Sequence, residues 1–137
     1  MAYEGDRVTY CPVTRYDFAN TYAVVVSGSG PNFCGHQILN LGGLYFHVAG
    51  VHAEPLMMTD VGYQRYLKET RKKELQRYRV MVRDHDAAMF KLEQLLSRKW
   101  RWGGLPNNCA TFVEEIVQAG GSSAGLYFNC PTVERFR

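Results

Sequence analysis

Cys109 has the sequence context of an activated thiol. It follows Asn107 and Asn108, and either asparagine can cap a helix, so Cys109 is predicted to lie in the first helical turn. The unpaired backbone N–H groups and the positive end of the helix dipole favour a thiolate at that position. Such a cysteine can attack a carbonyl carbon when a histidine lies close by. It can equally be a small buried apolar residue, because it shares a helix face with Phe112 and Val113.

Two histidines are predicted to meet on a β-hairpin. The segments 37–41 and 44–48, joined by Gly42-Gly43, have the pattern of two strands and a tight turn. Antiparallel pairing across that turn places His36 diagonally beside His47. One histidine can take the proton of a thiol while the other holds its far ring nitrogen in one tautomer. Surface histidines or a two-ligand metal site would also explain the pair.

The elements around these residues predict an α+β fold. The apolar run at 22–26 predicts a buried strand, and 79–82 predicts another. Along 44–48, side chains alternate, so Tyr45 and His47 should share one face of the sheet. Three stretches have apolar residues at helical spacing and are predicted to be helices: residues 61–77, from Asp84 or Asp86 to about 98, and 109–118, which ends at Gly120-Gly121. Strands mixed with helices and an antiparallel hairpin are typical of the α+β class.

Length and composition limit the class of protein. A chain of 137 residues and 15.6 kDa indicates a single domain, 1–137. The hydrophobic share of 46% and the charged share of 21% exclude a disordered or collagen-like chain. A net charge of +3 is lower than nucleic-acid-binding domains usually carry, so no nucleic-acid partner is expected. No apolar run approaches the roughly 18 residues of a membrane span, which predicts no transmembrane segment.

The cysteines, at positions 11, 34, 109 and 130, do not indicate a metal site. No two have C-x-x-C spacing, so no structural zinc is predicted and no metal or organic cofactor is expected. Their low density favours four free thiols, although two disulfides remain possible. Cys34 is a rival nucleophile near His36, but it lacks the helix N–H groups that would stabilise a thiolate.

The two candidate segments resemble those of a known family. Residues 34–47 (CGHQILNLGGLYFH) resemble the G-H-x-x-[IL]-x-x-x-x-G-x-x-x-H segment of NlpC-type papain-like cysteine hydrolases. Residues 108–113 (NCATFV) are similar to the family's nucleophile helix, D-C-S-G-F-V. Here the histidine segment comes first, as in the circularly permuted branch that includes relatives of lecithin:retinol acyltransferase. Their nucleophile segment is N-C-E-H-F-V; Ala110-Thr111 replace its Glu-His, so any role of those two residues does not carry over.

The resemblance implies a circularly permuted papain-like fold, in which an antiparallel sheet packs on helices and the nucleophile begins a helix. It assigns Cys109 as nucleophile, His36 as base and His47 as the orienting residue. If His47 is dispensable, Asn40 or a loop residue becomes our candidate for the third role. Trp100 and Trp102 precede the nucleophile and are candidates for the substrate cleft, or for core packing. Two further cleft candidates, Asn108 and Tyr22, complete the predicted site.

The resemblance also implies thioester chemistry on an acyl group. We expect an acyl ester of a membrane phospholipid, because residues 61–83 interleave basic with aromatic and apolar side chains, which suits an anionic membrane. A solvated helix packed on the core explains that stretch as well. The alternative substrate is a stem-peptide amide of peptidoglycan, and the alternative class is a non-catalytic binding module on the same fold.

The expected location follows from the N-terminal sequence and the size. Residues 1–7 contain Glu4 and Asp6 and no apolar h-region, which predicts no signal peptide. A small hydrolase of this kind fits an antibacterial toxin, made in the cytoplasm and delivered by a dedicated machine such as type VI secretion. It would act in the envelope of a target bacterium, and we expect a secretion carrier and a cognate immunity protein as partners.

Overall fold

The computed structural model describes five stretches of the chain. These are residues 2–7, 16–28, 34–49, 54–96 and 108–122. The side chains of residues 49, 54 and 108–111 lie outside this description.

The described residues form an α+β fold with one six-stranded antiparallel sheet and three α-helices. The strands are β1 (Asp6–Arg7), β2 (Thr21–Val26), β3 (His36–Leu41), β4 (Leu44–Ala49), β5 (Glu54–Thr59) and β6 (Glu74–Arg79). The helices are α1 (Asp60–Thr70), α2 (His85–Leu96) and α3 (Asn108–Ala119), and a 3-10 turn, Phe18–Asn20, precedes β2. The order across the sheet is β1-β5-β4-β3-β2-β6. The predicted α+β class is therefore confirmed at this level.

The β3–β4 hairpin has the predicted turn and register. Gly42 adopts a φ of 61°, which favours glycine, and its N–H donates to the Asn20 carbonyl at 2.9 Å. Leu39 pairs with Phe46, so the strands run antiparallel with the Gly-Gly turn at their tip. The Asn40 side chain donates to the carbonyl oxygens of Gly42 and Leu44 and so braces the turn from within.

Each face of the sheet buries its own apolar cluster. On one face, β-strand side chains such as Leu39 and Phe46 pack with α2 and α3. On the other face, Ile38 and Tyr45 pack with α1. The predicted alternation along β4 is confirmed, because Tyr45 belongs to the α1 face and Phe46 to the α3 face. A residue's parity on β3 or β4 thus decides which helix it can meet.

The chain departs from the predicted elements after Thr70. The helix expected over 61–77 is wrong beyond that residue, because Arg71 takes a left-handed φ of 58° and its N–H caps α1. Residues 74–79 then form β6, which gives β2 a second hydrogen-bonded neighbour. The strand expected at 79–82 is wrong as well, since β6 ends at Arg79. Val80 and Val82 are nevertheless buried in the core.

The helices α2 and α3 lie where the sequence predicts them, as far as they are described. Asp84 accepts a hydrogen bond from the N–H of Ala87, so it caps α2. Four residues of α3 predicted to face inward are fully buried: Phe112, Val113, Ile116 and Val117. β5 was not predicted; Pro55 within it cannot donate to a ladder and weakens any strand signal.

The direction of α3 can be read from its C-terminal anchor. The Gly120 carbonyl accepts from the N–H groups of Arg83 and Asp84. These two residues follow β6, which ends at the edge of the sheet where the β3–β4 turn lies. A 12-residue helix is about 18 Å long, and a six-residue strand about 20 Å. Since α3 packs along β3 and β4, its first turn extends toward the end of the sheet at which His36 begins β3. We call this the His36 end.

Gly120 permits the close approach that fixes α3. A Cβ there would lie 2.5 Å from Val82 Cγ1 and 3.1 Å from Ala88 Cβ. We expect Gly120→Ala to destabilise the fold by roughly 1–3 kcal/mol, the cost of overpacking a filled core. Gly43→Ala is the matched control, because its nearest neighbour, Asp60 Oδ2, lies at 3.5 Å. Urea unfolding checks this, and equal midpoints for the two variants would contradict it.

Candidate active site

The hairpin brings the two predicted histidines into direct contact. His36 Nε2 and His47 Nδ1 are 2.7 Å apart, and the rings meet edge to face with centroids 5.0 Å apart. The pairing of Leu39 with Phe46, extended by one residue, sets Ile38 opposite His47. The diagonal contact predicted from the sequence is therefore confirmed. Both rings lie on the α1 face, where His47 also contacts the Tyr66 ring at 5.3 Å.

Hydrogen bonds assign one tautomer to each ring. His47 Nε2 lies 2.5 Å from the carbonyl oxygen of Glu4, and a carbonyl can only accept. His47 therefore carries its proton on Nε2, and in the neutral ring its Nδ1 is an acceptor. His36 must then donate to it from Nε2. This leaves His36 Nδ1 as a bare nitrogen whose lone pair is available to take a proton.

Burial keeps both rings neutral. Desolvation is the main cause that lowers the pKa of His47 from 6.5 to about 4, and the positive charge of Lys72 acts in the same direction. Desolvation, followed by His47 and Lys72, also holds the pKa of His36 well below its usual value. His47 is fully buried, whereas His36 retains some solvent exposure. The dyad thus holds two imidazoles that burial disfavours in their charged form.

The backbone of Cys109 lies in the first turn of α3, as predicted. Its side chain lies outside the described residues, so the Cys109–His36 pair stays a prediction. α3 packs on the face of β3 and β4 opposite the histidines. However, its first turn extends toward the His36 end. A sulfur can therefore meet His36 only around the start of β3, and not through the sheet.

Other predicted site residues are not gathered at the dyad. Tyr22 pairs with Asn40, four residues from the Val26–His36 pair, which places it roughly 13 Å along the sheet from His36. The Asn40 amide is engaged in the hairpin turn, so it does not orient His36. Asn108 is the first residue of α3, with its side chain outside the described set. Trp100 and Trp102 lie outside the described residues altogether.

The expectation of four free thiols is wrong for Cys34, which forms a disulfide. A cysteine in a disulfide is not a free nucleophile, so the rival role of Cys34 is set aside. Its partner is one of the other three cysteines, whose side chains lie outside the described residues. Sequence spacing missed this bond because it depends on which distant cysteines the fold brings together.

Two contributors to the site were not found from the sequence. The Glu4 carbonyl is a backbone group, and no residue type signals its use as a hydrogen-bond acceptor. The second contributor is the charge of Lys72, which follows α1 and whose Nζ donates to the Ser27 carbonyl at 3.0 Å. That contact brings its charge beside the strand end next to His36, because Ser27 follows Val26.

Comparison with known proteins supplies no relative. No family model matches the chain, and no curated protein or solved structure matches it. Among the described residues, no three His, Cys, Asp or Glu side chains are grouped to hold a metal ion. Within those same ranges, no helix combines the length and apolar character required to cross a membrane.

The low pKa of His47 predicts a pH-dependent stability. Unfolding restores the usual pKa of 6.5, so between pH 6.5 and about 4 the unfolded chain binds more protons than the folded one. The free energy of unfolding should therefore fall as the pH drops through this window, by roughly 3 kcal/mol for a fully buried ring. Urea unfolding from pH 7.5 to 4.5 measures it. His47→Gln should flatten the decline, while the exposed-residue control His85→Gln should keep it; identical slopes would contradict the prediction.

Proposed function

We propose that the protein is a cysteine hydrolase that cleaves acyl esters of membrane phospholipids through a thioester on Cys109. The observation that carries this proposal is the ordered dyad, in which His47 holds His36 with a bare Nδ1. A papain-like thiol site needs such a base, held in one tautomer by a second residue. The first turn of α3, which contains Cys109, extends toward the same end of the sheet. On this proposal the fold is the permuted papain-like one.

The chemistry follows from the tautomers. His36 Nδ1 takes the thiol proton as the Cys109 sulfur attacks the carbonyl carbon of the ester. The backbone N–H groups at the start of α3 stabilise the oxyanion. As the tetrahedral intermediate collapses, the C–O bond breaks and the imidazolium returns its proton to the departing alcohol. His36 then takes a proton from water, the hydroxide attacks the thioester, and the fatty acid leaves as the thiol regains its proton.

Surface composition favours a lipid over a wall peptide. Between residues 61 and 83, apolar and basic side chains are both exposed: Val61, Lys68, Arg71, Leu75, Met81 and Arg83. The apolar side chains can enter the acyl boundary of a bilayer while the cations meet anionic headgroups. A stem-peptide amide of peptidoglycan requires neither property, so it is the second candidate substrate.

The disulfide of Cys34 supports action outside the cytoplasm. Disulfides persist in oxidising compartments, which include the bacterial periplasm. This fits an antibacterial toxin that reaches the envelope of a target cell through a secretion system and is neutralised at home by an immunity protein. The nucleophile must be a free thiol, so the proposal requires Cys11 or Cys130 as the partner of Cys34.

The state of Cys109 is the first test. We expect a non-reducing peptide map to show Cys34 linked to Cys11 or Cys130, with Cys109 free. Cys109 should react with iodoacetamide below pH 7, because the start of a helix lowers its pKa. Labelling should disappear in Cys109→Ser. A Cys34–Cys109 linkage, or labelling no faster than that of the denatured protein, would contradict the assignment of the nucleophile.

Product analysis tests the reaction. We expect mass spectrometry of phospholipid vesicles to show lysophospholipid and free fatty acid after incubation with the protein. Cys109→Ala and His36→Ala should abolish these products, and His47→Ala should lower kcat less, since it removes only the orienting partner. His85→Ala, at an exposed histidine, is the matched control and should be fully active.

Purified peptidoglycan is the parallel substrate in the same assay. Cleaved stem peptides together with intact phospholipids would show that the substrate is the peptidoglycan amide and not the lipid ester. The Cys109 mechanism would still hold. If the protein is folded, Cys109 is free but unreactive and neither product forms, the result favours a non-catalytic binding module.

A further inference from the structure

The N-terminal segment 2–7, which we call the strap, is attached to α1 beside the dyad. The Tyr3 N–H donates to Glu69 Oε1 at 3.2 Å, and the Arg65 guanidinium lies 4.4 Å from the centroid of the Tyr3 ring. The Tyr3 hydroxyl donates to Asp6 at 2.8 Å within the strap. The ring also packs closely on Gly62, where a Cβ would come within 2.9 Å of the hydroxyl.

The backbone of the strap is fixed most tightly at Gly5. Its φ of 123° lies in the region that favours glycine, and a Cβ there would meet Leu56 Cβ at 2.9 Å and the Met57 carbonyl oxygen at 3.2 Å. Asp6 then pairs with Met57, which joins the strap to β5. Because the peptide group between residues 4 and 5 includes the Glu4 carbonyl, these contacts determine where that oxygen points.

We infer that the strap is a positioning element of the site, in which the Glu4 carbonyl sets the tautomer of His47 and, through His47, that of His36. The chain of donors has one direction. Glu4 accepts from His47 Nε2, and His47 Nδ1 accepts from His36 Nε2. Without the carbonyl, His47 can carry its proton on Nδ1. His47 Nδ1 would then donate to His36 Nε2, and His36 would carry its own proton on Nδ1. A protonated Nδ1 has no lone pair with which to accept a proton as a base.

The expected effect on catalysis rests on the proposed function, whereas the expected tautomers rest only on the hydrogen bonds of His47. A strap that holds the carbonyl in place keeps the lone pair of His36 at Nδ1. Tyr3 and Gly5 are thus positioning residues that touch neither substrate nor thiol. The Glu4 side chain has no part in this, since only its backbone oxygen is used.

Gly5→Ala is the decisive variant. Long-range ¹H–¹⁵N spectra of the imidazole rings at pH 7.5 report which nitrogen carries the proton, and His36→Gln and His47→Gln assign the signals. In the unaltered protein we expect both rings to be protonated at Nε2. In Gly5→Ala we expect His47 to show averaged tautomers. In the esterase assay kcat should fall roughly 10- to 100-fold with KM little changed, as expected for a displaced catalytic group.

A second variant and two controls separate positioning from unfolding. Tyr3→Ala removes the anchor on α1 and should shift the tautomers in the same direction. Glu4→Ala keeps the carbonyl and should leave the imidazole spectrum unchanged. Gly43→Ala makes the same chemical change as Gly5→Ala, but in an open turn, and should change neither the imidazole spectrum nor kcat.

The spectra decide the inference independently of any activity. Unchanged tautomers in a folded Tyr3→Ala or Gly5→Ala protein would overturn it, and so would a tautomer shift in Glu4→Ala. If Gly5→Ala does not fold, Tyr3→Ala gives the decision. If the unaltered protein cleaves no ester, shifted tautomers in these variants still support the strap, and only the proposed function fails.

Discussion

A buried imidazole has two ring nitrogens, and both must find partners inside the protein. For His47, the Glu4 carbonyl and His36 supply them, one on each side. An unpaired polar group in that position would cost about 1–3 kcal/mol, so both partners stabilise the ring in its observed position. The strap, the hairpin and α1 all meet at this ring. The tautomer of His36, and with it any base chemistry at the site, depends on His47 being satisfied.

The sheet imposes the second constraint, because it separates the two halves of the proposed machinery. His36 and His47 face α1, whereas α3 packs on the other side. A nucleophile on α3 can meet the base only where the sheet ends. His36 is the first residue of β3, and Cys109 is the second residue of α3. The first turn of α3 extends toward the end of the sheet at which β3 begins, so a site shared across the sheet would have to lie at that end.

The sequence predicts those features that depend on short-range periodicity. The Gly-Gly turn and the two-residue alternation place His36 beside His47, and the apolar spacing of α3 identifies its buried face. Prediction from the sequence fails where a long-range contact or a backbone group determines the local structure. Arg71 ends α1 in a left-handed conformation usually signalled by glycine. β5 contains a proline, and the acceptor for His47 is a main-chain carbonyl that any residue could supply.

Desolvation also determines how the proposed proton transfer would proceed. A low pKa at His36 makes its imidazolium a strong acid, so a stable thiolate–imidazolium pair is disfavoured unless the thiol is acidic too. The start of a helix lowers the pKa of a thiol, and the positive charge of Lys72 disfavours the imidazolium on the other partner. Because the His36 imidazolium is disfavoured, the proposed transfer takes the thiol proton to His36 as the sulfur attacks, without a stable ion pair beforehand. The burial that weakens His36 as a base is therefore compatible with catalysis, because the same imidazolium readily returns its proton to a departing alcohol.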